Sequence, residues 1–265
     1  MDGPSTQPLP LTRASVQRAH QVITPLVHRT PLLSSSSLSR ETGQTLLFKA
    51  ENMNKSGSFK IRGASYSVAC LTDDERQRGV VTQSSGASCL SLSLCHTPSV
   101  ADSRIVPHAL SRPLFRSPPG NHAAALALVA RDRGIPAHIV SPRTAPAAKL
   151  AAVRAYGGDL TLCEPAIESR KAALAEVQQR TGACYVPPSD AVNTMLGQGT
   201  VFLEVEEQAR EGGWGALGAI IAPVGGAGLL GGIAVAARGT GVRVFGAGAS
   251  RSRSLYASAS FSTVH

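Results

Sequence analysis

Short β-rich runs take turns with helical patterns between residues 46 and 247, and this alternation limits the architecture more than any other feature of the chain. Strand-like runs fall at 46–50, 79–83, 137–140, 160–163, 219–224 and 242–247. Helical patterns fall between them at 62–71, 121–133, 145–156, 167–180, 194–210 and 229–238. Gly134 stops the second of these helices and Gly157-Gly158 the third, as glycine does just past a helix end. Strand, helix, strand at this spacing requires right-handed crossovers and a mainly parallel sheet. The expected class is therefore α/β, with ligands at the carboxyl ends of the strands. A chain of 265 residues is long enough for one large or two small domains of roughly 100–200 residues each.

Residues 87–119 interrupt the rhythm. Of these 33 residues, 18 are Ser, Leu, Pro or Phe, and the stretch is read as lacking any helical or alternating period. Ordered domains seldom contain a structureless stretch of that length, so it is expected to be a disordered insertion. Pyrimidine-rich codons encode those four residue types, so a retained intron or a gene-model error is the expected origin. Residues 250–265 are Ser-rich and aperiodic, and are not expected to form a folded element.

The net charge is +9, but the basic residues are scattered among acids and aromatics are only 4% of the chain. No basic run with interleaved aromatics occurs, so a solvated basic surface is expected and nucleic acid is not. No run of about 18 apolar residues suggests a membrane span. Residues 1–11 lack the apolar centre of a secretory signal. The five cysteines have no metal-like spacing; an odd, sparse set reads as reduced thiols in a cytoplasmic protein.

Two turns carry chemistry. Ser58-Phe59-Lys60-Ile61-Arg62-Gly63-Ala64 follows a strand and opens a helix, with Glu51-Asn52 just upstream. Desolvation and the positive end of a helix both favour a neutral amine, the form that condenses with an aldehyde. On spacing alone, a surface lysine at a helix start is the simpler reading. The run Pro223-Val224-Gly225-Gly226-Ala227-Gly228-Leu229-Leu230-Gly231-Gly232 follows a buried strand and precedes a helix. Successive backbone N–H groups in such a turn form an anion nest, to which the helix N-terminus adds. Tight packing turns also use glycine, so the loop alone does not decide.

Taken together, Glu51-Asn52, Ser58 to Ala64 and the glycine loop resemble the serine racemase and threonine dehydratase family, pyridoxal-phosphate enzymes of fold type II. The resemblance runs from about residue 16 to residue 247, without 87–119. It implies a two-domain α/β fold with a large cofactor domain of residues 1–79 plus 189–265 and a small domain of 80–188. Lys60 would hold pyridoxal 5'-phosphate as a Schiff base and act as base on one face of the substrate. Phe59 would pack beside the ring, and Gly225, Gly226, Ala227, Gly228 and Leu229 would bind the phosphate. Ala227 departs from the family, which usually has glycine there.

The family also has a continuous Ser-Ser-Gly-Asn-His loop. Here Ser84-Ser85-Gly86 and Gly120-Asn121-His122 stand apart, and removing 87–119 with one glycine restores the run. By resemblance Asn121 would bind the cofactor's ring oxygen and Ser85 would be the opposite-face acid/base. Racemisation needs proton donors on both faces of a planar carbanion, so Lys60 and Ser85 would be the pair. Ser84, His122, Glu168 and Arg170 would contact substrate. Ser189-Asp190 stands where relatives carry Asn-Gln or Phe-Asp, and Gly197-Gln198-Gly199-Thr200 reads as structural.

The resemblance further implies a homodimer acting on a small amino acid. Relatives continue past residue 247 through an acidic segment that holds a divalent metal such as Mg and a serine that meets the pyridine nitrogen. The fold is therefore expected to be incomplete at the C-terminus, with that metal site lost and no other metal. Three functions follow: a serine or threonine racemase or ammonia-lyase forming D-serine, pyruvate or 2-oxobutyrate; a catalytically dead splice or gene-model variant of it; or a related lyase on another β-substituted amino acid.

Overall fold

The computed structural model describes residues 9–84, 92–96 and 120–248, with only the backbone for 92–96. The elements, in chain order, are α1 (Arg13–Ile23), β1 (Leu32–Ser34), α2 (Ser36–Thr42), β2 (Leu46–Ala50), a 3-10 turn (Glu51–Met53), α3 (Lys60–Ala69), α4 (Asp73–Arg78) and β3 (Val80–Gln83). They continue with β4 (Leu92–His96), α5 (Asn121–Asp132), β5 (Ala137–Pro142), α6 (Ala147–Ala155), β6 (Asp159–Cys163), α7 (Ile167–Thr181), β7 (Cys184–Tyr185), α8 (Val192–Glu211), β8 (Ala219–Pro223), α9 (Gly228–Ala236) and β9 (Arg243–Ala247).

Two sheets form. The four-stranded sheet has the order β6-β5-β3-β7 and is parallel throughout, as βαβ crossovers dictate. Its strands β3 and β5 are buried; Val80, Val81, Ile139 and Val140 have no exposed surface. Short runs with apolar residues at consecutive positions are what a sheet covered on both faces favours. The five-stranded sheet has the order β1-β2-β4-β8-β9 and is mixed: only β8 and β9 are parallel.

The interrupting segment contributes β4, antiparallel to β2 on one side and to β8 on the other. This corrects the expectation of a structureless stretch for residues 92–96. Leu92-Ser93-Leu94 alternates over three residues only before Cys95-His96 breaks the pattern, and the strand's partners lie far away in sequence. The remainder of 87–119 lies outside the described residues, as do Ser85, Gly86 and the tail after residue 248. The elements α1, β1, α2 and α4 were not expected from the sequence pattern, although α1 carries a helical period that buries Val16, Ala19 and Ile23 on one face; Thr12 caps α1 and a Thr72/Glu75 capping box opens α4.

Helix α8 is the spine of the larger layer, and glycines let its neighbours approach closely. A Cβ at Gly197 would lie 2.6 Å from the Arg62 carbonyl oxygen of α3, and one at Gly199 would lie 2.5 Å from the Gly232 carbonyl oxygen of α9. The helix that begins at Lys60 and the helix that follows the glycine turn therefore both pack backbone-close against α8. A larger side chain at either contact would push one of them away from the other. Among the described residues, no helix is long and apolar enough to cross a membrane.

Candidate active site

Lys60 is the first residue of α3, with Phe59 at the N-cap. Phe59 is buried, and the Lys60 Nζ lies 5.3 Å from its ring centroid. The amine donates to the Pro188 carbonyl oxygen at 2.5 Å. Two residues on, Arg62 anchors this turn in a buried network. Its guanidinium donates twice to Glu51, each at 2.8 Å, and twice to Glu204, at 2.6 and 2.8 Å. Lys49 donates to Glu204 at 2.6 Å, to Gln208 at 2.7 Å and to the Thr30 carbonyl oxygen at 2.7 Å. Thr30 and Asn54 donate to Glu51, at 2.6 and 3.3 Å.

Two cations and two carboxylates thus neutralise one another with their hydrogen-bonding groups occupied, the condition under which buried charge is tolerated. Burial by itself would lower the Arg62 pKa and raise that of Glu204, but the pairing outweighs it: Arg62 is held above and Glu204 below its ordinary value. The network joins β2, the 3-10 turn, α3 and α8, so it fixes where the lysine turn sits.

Lys60 shares a cavity of about 100 Å³ with the glycine turn; its walls include Phe59, Ser189 and every residue from Gly225 to Leu229. The turn leads into α9, whose N-cap is Ala227 and which no side chain caps. Its first-turn N–H groups, with the helix potential behind them, form a site for an anion. Ala227 is the only non-glycine residue with positive φ among the described residues, at φ 61° and ψ −6°. Ser189 packs under the turn: a Cβ at Gly226 would lie 2.4 Å from its Oγ, and one at Gly228 would lie 2.4 Å from its carbonyl oxygen. Both glycines are therefore needed for space.

A second group of side chains gathers where β3 ends and α5 begins. Ser84 is buried, and its backbone N–H donates to the Val140 carbonyl oxygen at 2.8 Å. Arg170 on α7 reaches the Ser84 carbonyl oxygen with Nη1 at 3.2 Å, while its Nε is buried with no partner among the described residues. Asn121 opens α5, and its Oδ1 accepts from the Lys149 Nζ at 2.7 Å. His122 is buried, with Nε2 3.1 Å from the Val186 carbonyl oxygen. A carbonyl only accepts, so Nε2 carries the proton and Nδ1 is a bare acceptor, buried and without a partner among the described residues. Burial pushes the His122 pKa down to about 3, and the Lys60 charge pushes the same way, against the bond to Val186. The imidazole is neutral at physiological pH.

Of the residues singled out from sequence, Phe59, Lys60, Gly225, Gly226, Ala227, Gly228 and Leu229 line one cavity. Ser84 and Arg170 are in direct contact, and the Lys60 charge acts on His122. Glu168 stands apart: it is exposed in the first turn of α7, and among the described residues it has no hydrogen bond to the others. Three contributors went unread in the sequence: Pro188, which receives the Lys60 amine; Ser189 as the floor of the glycine turn; and Lys149 as the partner of Asn121. The spacing Pro188-Ser189, at the start of the α8 connection, carried no local signal for either role.

A family model described as pyridoxal-phosphate dependent enzyme matches residues 23–96 and 112–264. Over 224 residues the chain is 42% identical to a serine racemase of Oryza sativa, a match covering 84% of this chain and 55% of that protein. It is 34% identical over 226 residues to the L-threonine ammonia-lyase of Thermotoga maritima, covering 85% of this chain and 47% of the relative. The solved structure of maize serine racemase superimposes with a TM-score of 0.73 at 40% identity, covering 89% of this chain and 60% of that one. The chain thus spans about half to three fifths of the length of these relatives.

Proposed function

The chain belongs to the pyridoxal-phosphate-dependent enzyme family, and from that premise we propose that it is a serine or threonine racemase or ammonia-lyase chain whose cofactor is held by Lys60. One observation carries the reading: a lysine amine and an uncapped, glycine-lined helix N-terminus meet in one cavity. These residues fit the cofactor, since it combines an aldehyde with a phosphate. Glycine at 226 and 228 leaves the floor of that cavity clear, where any Cβ would strike Ser189.

When bound, pyridoxal phosphate supplies an electron sink for the charge left at a substrate's α-carbon. The chain's own residues do the rest. The backbone N–H groups from Gly225 to Leu229 would hold the phosphate, and the Asn121 amide would bind the ring oxygen. Lys60 moves a proton at the α-carbon on one face, and Ser85 does so on the other. Arg170, Ser84 and neutral His122 orient the amino acid; Arg170 supplies the charge for its carboxylate. Elimination of the β-hydroxyl as water, followed by hydrolytic release of the amino group as ammonia, would give pyruvate from serine or 2-oxobutyrate from threonine, and return of the α-proton on the opposite face would give D-serine. The proposal includes a homodimer in the cytoplasm, with residues 80–188 as a separate small domain. The test is direct: the full chain mixed with pyridoxal phosphate develops a visible absorbance band that Lys60→Ala lacks, and assays for D-serine, pyruvate and 2-oxobutyrate assign the reaction. No band in the parent chain overturns the reading.

A second reading has one observation behind it: 35 residues separate Ser85 from Asn121. Displacing a reacting group by about 1 Å can cost about a hundredfold in rate. A chain that shows the band but forms none of the three products is a cofactor-binding variant without turnover.

A further inference from the structure

Asn121 is expected to act through its amide, and an amide has two ends. Its Oδ1 accepts and its Nδ2 donates, so a side chain that fixes one end aims the other. In this structure the Oδ1 end is taken by the Lys149 Nζ at 2.7 Å. Lys149 belongs to α6, and its stem lies over Gly120: a Cβ there would be 3.4 Å from the Lys149 Cδ and 3.6 Å from the Ser84 Oγ. The lysine therefore spans the junction where the end of β3 meets the start of α5. Burial lowers the Lys149 pKa, and among the described residues no carboxylate pairs with it. Its half-buried ammonium is directed at a neutral amide, a charge-assisted hydrogen bond that orients the Asn121 side chain.

We propose that Lys149 is a positioning residue for the cofactor reading given above: its ammonium holds the Asn121 carbonyl end, so the amide NH2 faces the negative ring oxygen and donates to it more strongly. The inference rests on that reading. A chain of donors running from Lys149 through Asn121 polarises each member, so the positive charge reaches the ring oxygen without touching it. Arg170 of α7 and Lys60 of α3 bring further positive charge to this region; Arg170 donates to the Ser84 carbonyl oxygen and Lys60 to that of Pro188. Sequence alone offers no pointer to Lys149, which like Lys171 is a lysine within a helix and outside any motif.

The test uses the full chain reconstituted with pyridoxal phosphate and reads the absorbance spectrum. An ionised ring oxygen absorbs at longer wavelength than a protonated one, so the ratio of the two bands reports on the charge beside it. In Lys149→Met the ratio of the short- to the long-wavelength band rises about tenfold relative to the parent, the effect of one pK unit, while Lys149→Arg restores the parent ratio. A merely structural role for Lys149 would lower the unfolding temperature without changing that ratio. If Lys149→Met does not fold, Lys149→Gln takes its place, keeping a donor without the charge, with the same expected direction. A parent band whose ratio is unchanged in these variants overturns this inference alone. A parent chain with no band at all overturns the cofactor reading and this inference with it.

Discussion

Arg62 holds Glu204 by two parallel hydrogen bonds, Nη1 to Oε1 at 2.6 Å and Nη2 to Oε2 at 2.8 Å. Both side chains are almost wholly out of water, so neither charge has solvent to fall back on. Glu51 balances Arg62 from the other side, and Lys49 balances Glu204. Removing one carboxylate charge leaves two buried cations facing one anion. Breaking a buried pair from one side costs about 3–5 kcal/mol. Glu204→Gln is therefore expected to lose about 3 kcal/mol in urea unfolding, since the amide still accepts one hydrogen bond. A loss below about 1 kcal/mol would mean the site is wetter than the geometry indicates.

The neutral His122 makes acid destabilising. Its pKa is 6.5 in the unfolded chain and about 3 when folded, so between those values the unfolded state binds more protons. Stability then rises with pH across that window and falls as acid is added, by up to about 1.4 kcal/mol per pH unit. Above pH 6.5 the imidazole is neutral in both states and contributes no slope. Urea midpoints measured from pH 7.5 to 5 should drop steeply below 6.5 in the parent chain and less steeply in His122→Gln. Equal slopes in the two proteins would show that His122 is solvated or already charged.

Ala227 sits in the left-handed region at φ 61°, a conformation that costs an L residue roughly 1–2 kcal/mol. Glycine removes that cost but adds entropy to the unfolded chain, worth about 0.4–1 kcal/mol the other way. Ala227→Gly should be neutral to mildly stabilising, by at most about 1.6 kcal/mol, with pyridoxal-phosphate affinity unchanged or tighter. Ala227→Val should be worse on both counts, because a β-branched side chain tolerates positive φ poorly. Thermal unfolding and cofactor titration check both. A weaker cofactor in Ala227→Gly would show that the methyl group is a contact and not an obstruction.

What the sequence made legible was whatever depends on short-range order. Val80, Val81, Ile139 and Val140 sit in brief apolar runs between helical patterns, and that is enough to predict a buried parallel sheet. Lys60 and the turn from Gly225 were readable because each lies in a long, contiguous motif. The strand from Leu92 to His96 was not readable: its alternation is short, and what holds it is the ladder of β2 and β8 on either side. Lys149, Pro188 and Ser189 were missed for the same reason, because each acts through a partner brought near only by the fold. Glu168 shows the converse. Its helix was predicted correctly, yet the contact with the end of β3 is made by Arg170, two residues on.

Ser189 and the glycine turn offer a test that separates space from chemistry. A Cβ at Gly226 would meet the Ser189 Oγ at 2.4 Å and Cβ at 2.8 Å, both side-chain atoms. A Cβ at Gly228 would meet the Ser189 carbonyl oxygen at 2.4 Å and Cα at 2.9 Å, which are backbone. Neither glycine has positive φ, so a substitution at either position acts through contact and not through backbone strain. Gly226→Ala and Gly228→Ala should both widen the gap between the turn and residue 189 and weaken pyridoxal-phosphate binding about tenfold or more, since overpacking typically costs 1–3 kcal/mol. Adding Ser189→Gly removes the atoms that clash with position 226 but leaves the backbone that clashes with 228. The double variant Gly226→Ala/Ser189→Gly should therefore recover most of the binding, while Gly228→Ala/Ser189→Gly should not. Recovery in both pairs, or in neither, would place the turn differently over Ser189 than the contacts described here require.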